Sequence, residues 1–257
     1  MSSEISLALL RELLPAGVYP LVFNSLPSTN TYLREHAGSG MPENTLIVAA
    51  SQTSGRGRFG REFFSPPDTG VYFSILLRTV PERDTTALIT VAAALASAEA
   101  CDAVFCVRTE IKWVNDVLVN GQKAVGILAE AFSNGDNFVI LGIGANIVPP
   151  AAGFPPELGD AGAFTDRAQS GSRERFVSEA ITRLLGYLER SDSVSIVSAY
   201  RDRVKMTGKE VVVTKGAERF AATVVGIDDD ACLIVSRSDG ETEHLSYGEV
   251  TLHNENQ

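Results

Sequence analysis

Apolar residues at Ile5, Leu7, Leu9, Leu10, Leu13 and Leu14 recur at helical spacing after Ser3 and stop at Pro15-Ala16-Gly17, which predicts an opening helix. The apolar stretch Tyr19 to Phe23 predicts a strand, and Ser28-Thr29-Asn30 offers side-chain caps to a second helix through about His36. Thr45 to Ser51 and Val71 to Arg78 are apolar runs of strand length, separated by a loop rich in Gly, Arg and Pro. Asp84 stands where it caps a long Ala-rich helix reaching about Ala100. Strand pieces follow at Val107 to Trp113 and Asp116 to Val119. Asn120-Gly121 is then a two-residue hairpin signal leading into Ala124 to Phe132, and Phe138 to Ile147 closes the run of strands.

The pattern then changes twice. Pro149 to Gly162 holds four prolines and three glycines and predicts a loop, after which helical spacing returns over Arg173 to Glu189 and Val194 to Lys205. From Gly208 onward the chain reads as short alternating strands at Glu210 to Thr214, Phe220 to Ile227, Cys232 to Ser236 and His244 to Tyr247. Turns fall at Lys215-Gly216, Asp228 to Asp230 and Asp239-Gly240. A boundary near Met206 divides an α+β domain, 1–205, from a small β-barrel, 206–257.

Charge narrows the partners. Lys+Arg 22 against Asp+Glu 32 leaves −10 over 257 residues, which argues against a chain built to grip nucleic acid. No apolar run reaches the roughly 18 residues of a membrane span. Met1 is followed by Ser2-Ser3-Glu4 rather than a basic start and apolar core, so no secretory signal is expected. Cys101, Cys106 and Cys232 are odd in number and lack CxxC spacing, as free thiols of a cytoplasmic protein would be.

The strongest chemical signal is Gln52-Thr53-Ser54-Gly55-Arg56-Gly57-Arg58-Phe59-Gly60-Arg61, in which three arginines alternate with three glycines. Glycine permits close backbone approach, and arginine presents forked donors to carboxylate or phosphate oxygens, so such a loop suits a small anion. The formal G-x-G-x-x-G at Gly55, Gly57 and Gly60 is not a dinucleotide fingerprint, because Pro66-Pro67 refuse the helix that must follow. A second signal is Lys112-Trp113-Val114-Asn115-Asp116 with Lys123-Ala124-Val125-Gly126-Ile127-Leu128. The chain has five lysines, and two of the three in its first 206 residues flank this one hairpin. An Asn-Asp pair supplies oxygen ligands of the kind Mg²⁺ takes. Gly144-Ala145-Asn146 places an amide at the end of an apolar strand, where it serves a base edge or a turn.

Taken together, the GRGRxGR loop, the KWxND segment, the KxxGIL segment and the GxGxN strand end resemble biotin protein ligase, over nearly the whole chain. The resemblance implies a mixed-sheet catalytic domain akin to class II synthetases and lipoate ligases, with an SH3-like barrel as the tail. It implies activation of biotin with ATP and transfer to a lysine of a carboxylase carrier domain, the biotin carboxyl carrier. Ser28, Thr29, Asn30, Gln52, Gly55, Arg56, Gly57, Arg58, Lys123 and Gly126 would then contact biotin or its acyl-adenylate. Arg58, Arg61, Phe63, Trp113, Asn115 and Asn146 would serve the nucleotide, and Asn115 and Asp116 a Mg²⁺ ion. Two positions depart from the family pattern: Val114 where Pro is common, and Phe63 where many members carry Trp, which gives adenine a smaller stacking face.

Within that reading Ser28, Thr29 and Gln52 suit a ureido ring, while Trp113, Ile127 and Leu128 suit the tail and thioether. Arg56, Arg58, Lys123 and Mg²⁺ would neutralise the carboxylate and α-phosphate, with Arg61 toward pyrophosphate and Asp116 serving the acceptor amine. The rivals are a lipoate or octanoyl ligase on the same fold, a biotin-responsive repressor and an inactive sensor. One helix at most precedes the first strand and the charge is −10, so no DNA reader is expected. An exposed strand edge would allow a homodimer.

Overall fold

In the computed structural model, residues 4–78, 86–134, 136–190 and 192–252 are described. The opening helix, α1 (Leu7–Leu13), starts where Ser6 accepts from the Leu9 amide, and Ser3 lies outside the described residues. Strand β1 (Tyr19–Phe23) runs parallel to β2 (Thr45–Ala49), joined through α2 (Thr29–His36), whose N-cap is Ser28. Strand β3 (Gly70–Arg78) pairs antiparallel with both β2 and β7 (Asp136–Asn146). Strands β4 (Thr109–Lys112), β5 (Asp116–Val119) and β6 (Gln122–Asn134) complete a seven-stranded mixed sheet of order β1-β2-β3-β7-β6-β5-β4. At the β5–β6 turn Asn120 and Gly121 both take positive φ, 52° and 77°, as a two-residue hairpin with matching twist requires.

Strand alternation gives this sheet two apolar faces. On one, Leu46, Val48, Phe73, Ile75 and Leu77 meet α3 (Thr86–Phe105), α4 (Ser172–Arg190) and α5 (Ser193–Arg203). By length and composition α3 is apolar enough to cross a membrane, yet it is the helix of the core, buried from Val91 to Ala96 without a break. That composition was not expected from a chain with no long apolar run: Thr, Ser, Glu and Asp interrupt the run while its mean hydropathy stays high. Asp84, expected to cap it, lies outside the described residues, and the helix continues past Ala100 to Phe105. On the other face Leu33 of α2 and Ala37, its C-cap, cover Ile47, Leu76 and Ile140.

The C-terminal residues form a five-stranded antiparallel sheet of order β11-β10-β9-β8-β12, built from β8 (Glu210–Lys215), β9 (Glu218–Ile227), β10 (Leu233–Arg237), β11 (Thr242–Leu245) and β12 (Glu249–Leu252). The strand expected at His244 to Tyr247 begins two residues earlier, and β12 was not anticipated. Four residues carry too little alternation to mark a strand, and the partner of β12, β8, is distant in sequence. The sheet is fastened to the first domain by Trp113, whose indole donates to the Ala231 carbonyl at 3.0 Å. Arg201 donates to the Ile227 carbonyl at 2.9 Å and pairs with Asp229.

Phe176 of α4, fully buried, touches the rings of Phe73, Phe105 and Phe164 at the centre of the larger core. Phe176→Ala is therefore expected to lower unfolding free energy by about 3–5 kcal/mol in denaturant titration; a loss below about 1 kcal/mol would show that the cluster does not support the fold.

Candidate active site

The α2 face of the sheet is covered only in part. Residues Ile140, Gly142 and Gly144 of β7 point the same way; Leu33 of α2 packs at Ile140, Asn30 at the start of that helix stands over Gly142, and the Phe63 ring stands over Gly144. Across the ladder Gly126 pairs with Gly144 and Leu128 with Gly142. The result is a low floor to a cleft that is partly open to solvent. A Cβ at Gly142 would sit 2.1 Å from Asn30 Oδ1, and one at Gly144 would sit 2.5 Å from the Phe63 ring. These glycines are required by what lies on top of them, not by their φ angles.

Buried Thr29 and Asn30, in the first turn of α2, turn polar side chains to one end of the cleft. Gln52 Oε1 accepts from the Thr29 amide at 2.9 Å and from Thr29 Oγ1 at 3.2 Å, while Gln52 Nε2 donates to Ser65 Oγ at 3.0 Å. Ser74 Oγ lies 2.6 Å from both Thr29 Oγ1 and Asn30 Oδ1. This end presents directional donors and acceptors and no net charge of its own.

The glycine–arginine segment is a small hairpin. The Phe63 amide donates to the Gly55 carbonyl and the Gly57 amide to the Arg61 carbonyl, with a short 3₁₀ turn over Arg58–Gly60 at the tip. Gly55 is where the limbs come closest, since a Cβ there would meet the Phe63 carbonyl at 2.3 Å. No helix follows the tip, as Pro66-Pro67 predicts, and an isolated bridge joins Arg56 and Glu62.

Each cation of the site rests on its own acceptor. Arg56 pairs with Glu130 at 3.0 Å, Arg61 pairs with Glu249 of β12, and Lys123 Nζ lies 2.8 Å from Asp116 Oδ1. That last contact is an ion pair without hydrogen-bond geometry, and among the described residues Asp116 Oδ1 has no hydrogen bond although it is shielded from solvent. Arg58 differs: it donates to neutral oxygens, Asn115 Oδ1 at 2.8 Å and the Gly248 carbonyl at 3.0 Å. Burial pulls its pKa below the ordinary arginine value, against the nearby charges of Asp116 and Glu249. Burial also raises the Tyr200 phenol far above its ordinary range, helped by Asp116; its hydroxyl donates to the Val114 carbonyl.

The lining includes Ser28, Thr29, Asn30, Gln52, Arg56, Gly57, Arg58, Arg61, Phe63, Asn115, Asp116, Lys123 and Gly126 of the expected residues, with Ile127 and Leu128. Three expected residues do not line it. Trp113 is buried against the C-terminal sheet, where its indole is already committed to Ala231. Asn146 spends its amide on the Gly162 carbonyl at 3.0 Å, and Gly55 lies at the hairpin base. Sequence reasoning did not assign Phe59, Glu62, Gly142, Ile143, Gly144 and Glu249 to the site. The spacing of Gly142 and Gly144, two apart on one strand, was the signal for the floor. Nothing local marks Glu249, which reaches the site through the C-terminal sheet. No trio of His, Cys, Asp or Glu close enough to hold a metal occurs among the described residues.

A model described as the Biotin/lipoate A/B protein ligase family matches residues 22–146, and one described as the Biotin protein ligase C terminal domain matches residues 207–252. These define a two-part ligase, a sheet with its cleft followed by a small β domain. The biotin--[acetyl-CoA-carboxylase] ligase of Mycobacterium tuberculosis is 32% identical over 237 residues, 87% of this chain and 85% of that protein. The bifunctional ligase/repressor BirA of Bacillus subtilis is 31% identical over 248 residues, 93% of this chain and 75% of that protein. In fold, the chain is similar to the biotin protein ligase from Aquifex aeolicus in complex with biotin and ATP, with TM-score 0.77, 24% identity and coverage of 91% of this chain and 98% of that one. The chain belongs to the biotin protein ligase family.

Gly142→Ala is expected to displace the buried Asn30 side chain from Ser74, at a cost of about 1–3 kcal/mol in a urea titration. An unchanged midpoint would contradict the packed floor described above.

Proposed function

We propose that this enzyme activates biotin with ATP and passes it to a lysine of a biotin carboxyl carrier domain. The observation that carries the reading is the division of one cleft into an uncharged directional end, at Thr29, Asn30 and Gln52, and a cationic end, at Arg58, Arg61 and Lys123. A ureido ring needs the first, and a carboxylate meeting a triphosphate needs the second. Solved proteins of similar fold were crystallised with biotin and ATP, or with biotinyl-5-AMP, which supports the same pairing of ligands.

In the first step a biotin carboxylate oxygen bonds to the α-phosphorus, the bond from that phosphorus to the bridging oxygen breaks, and pyrophosphate leaves with the electron pair. Two anions must approach, so cations fixed in the cleft lower the barrier by stabilising the negative charge brought together in the transition state. Arg58 and Lys123, which line the cleft, are assigned to the reacting groups and Arg61 to the leaving pyrophosphate, while Phe63 on the glycine floor offers a stacking face. In the second step the acceptor amine attacks the acyl carbon, AMP departs, and the ammonium proton passes to Asp116.

The donor set does not build a resident Mg²⁺ site, since Asn115 Oδ1 serves Arg58 and Asp116 faces Lys123. It suits Mg²⁺ arriving on the nucleotide, with Asp116 and Asn115 beside it. Such an ion would supply charge neutralisation to the phosphates. The matched C-terminal domain favours biotin over lipoate as the acid, and the net charge of −10 favours no DNA partner.

Purified protein incubated with biotin, ATP, Mg²⁺ and a carboxyl carrier is expected to raise the carrier mass by one biotinyl group at one lysine. A mass unchanged with biotin but raised with lipoate would assign the alternative acid. Lys123→Ala is expected to slow biotin-dependent pyrophosphate release by about 10²-fold or more, as for other lost transition-state donors; a rate near wild type would remove Lys123 from the first step.

A further inference from the structure

Glu130 does not line the cleft, yet it holds two residues that do, Asn30 and Arg56. It stands on β6 opposite Ile140 and in line with Leu128, on the face that forms the floor. Its carboxylate is mostly buried and receives three groups: Arg56 of the hairpin at 3.0 Å, Arg34 of α2, and Asn30 Nδ2 at 2.8 Å. Two guanidinium groups on one carboxylate settle a charge that a half-buried strand position would otherwise disfavour. They also tie the hairpin to the helix.

The contact continues beyond Asn30. Asn30 Oδ1 meets Ser74 Oγ, which meets Thr29 Oγ1; Thr29 donates to Gln52, Gln52 to Ser65 Oγ, and Ser65 Oγ to the Phe63 carbonyl at 2.8 Å. This chain of polar contacts starts at Arg56 and finishes at Phe63. Those are the two limbs of the glycine–arginine hairpin, and between them the chain passes through the side chains assigned above to the ureido ring.

We propose that Glu130 is a positioning residue that couples the biotin end of the cleft to the arginine hairpin through Arg56. The inference rests on the biotin-ligase reading. Glu130 touches no reacting atom. It fixes Arg56 and Asn30 relative to one another, so a ligand that orders the ureido end also orders the hairpin limb that carries Arg56.

The test compares wild type, Glu130→Gln, Arg56→Ala and the double variant for biotin KM, ATP KM and the dissociation rate of biotinyl-5'-AMP. Glu130→Gln is expected to raise both biotin KM and the dissociation rate by about tenfold, the scale of one lost charge-assisted hydrogen bond. ATP KM should stay within about twofold, a split that general destabilisation would not produce. The double variant should fall well short of the product of the single effects, because both remove the same contact. An unchanged dissociation rate in folded Glu130→Gln, or effects that multiply fully in the double variant, would overturn the proposal. Should Glu130→Gln fail to fold by circular dichroism, Glu130→Asp, shorter by one methylene, carries the same expectations and the same refutations. Failure of the wild type to form biotinyl-5'-AMP would strike the functional reading itself and be distinguishable from both.

Discussion

Four cations crowd one cleft in a protein whose net charge is −10, and their mutual repulsion has to be met before any substrate arrives. The fold meets it by giving each cation a separate acceptor drawn from a different element. Glu130 of β6 takes Arg56, Asp116 of β5 takes Lys123, and Glu249 of β12 takes Arg61. Arg58 alone of the four is recorded on an amide and a backbone carbonyl. An ionised acceptor binds guanidinium more strongly than a neutral one, so an incoming carboxylate or phosphate has most to gain at Arg58. Partial desolvation sharpens that preference, because a half-buried cation with neutral partners interacts more strongly than a fully solvated one with any anion that reaches it.

The same arrangement explains why the C-terminal sheet belongs to the site. Gly248 and Glu249, at the start of its last strand, hold the arginines at and beyond the hairpin tip, and Trp113 fastens the two domains beside the segment that carries Asn115 and Asp116. Removing β12 would therefore release two arginines rather than merely shorten a distant domain. The floor works in the opposite sense. Gly126, Gly142 and Gly144 have no side chains to fill the cleft, and by staying low they admit Asn30 and Phe63 above them.

Much of this was legible in the chain. Strand β1, the β5–β6 turn and the Ser28 cap fall where their apolar spacing and turn residues put them, because those signals are local. The arginine hairpin and Lys123 stood out by composition against an acidic background. What was not legible depends on long-range placement. Trp113 reads as a pocket aromatic, but its indole finds a carbonyl 118 residues away. Glu130 reads as an ordinary strand carboxylate and Glu249 falls beyond the last expected strand, and only the sheet topology brings them to Arg56 and Arg61. Strand β12 is visible only through β8.

The central claim is that Arg58 exchanges neutral partners for the substrate's charge. A crystal structure of the protein with biotin and a non-hydrolysable ATP analogue tests it most directly. The account predicts Arg58 guanidinium nitrogens within about 3 Å of carboxylate or phosphate oxygens. Arg58 still bonded to Asn115 and Gly248, with both ligands bound and neither in contact with it, would contradict the account.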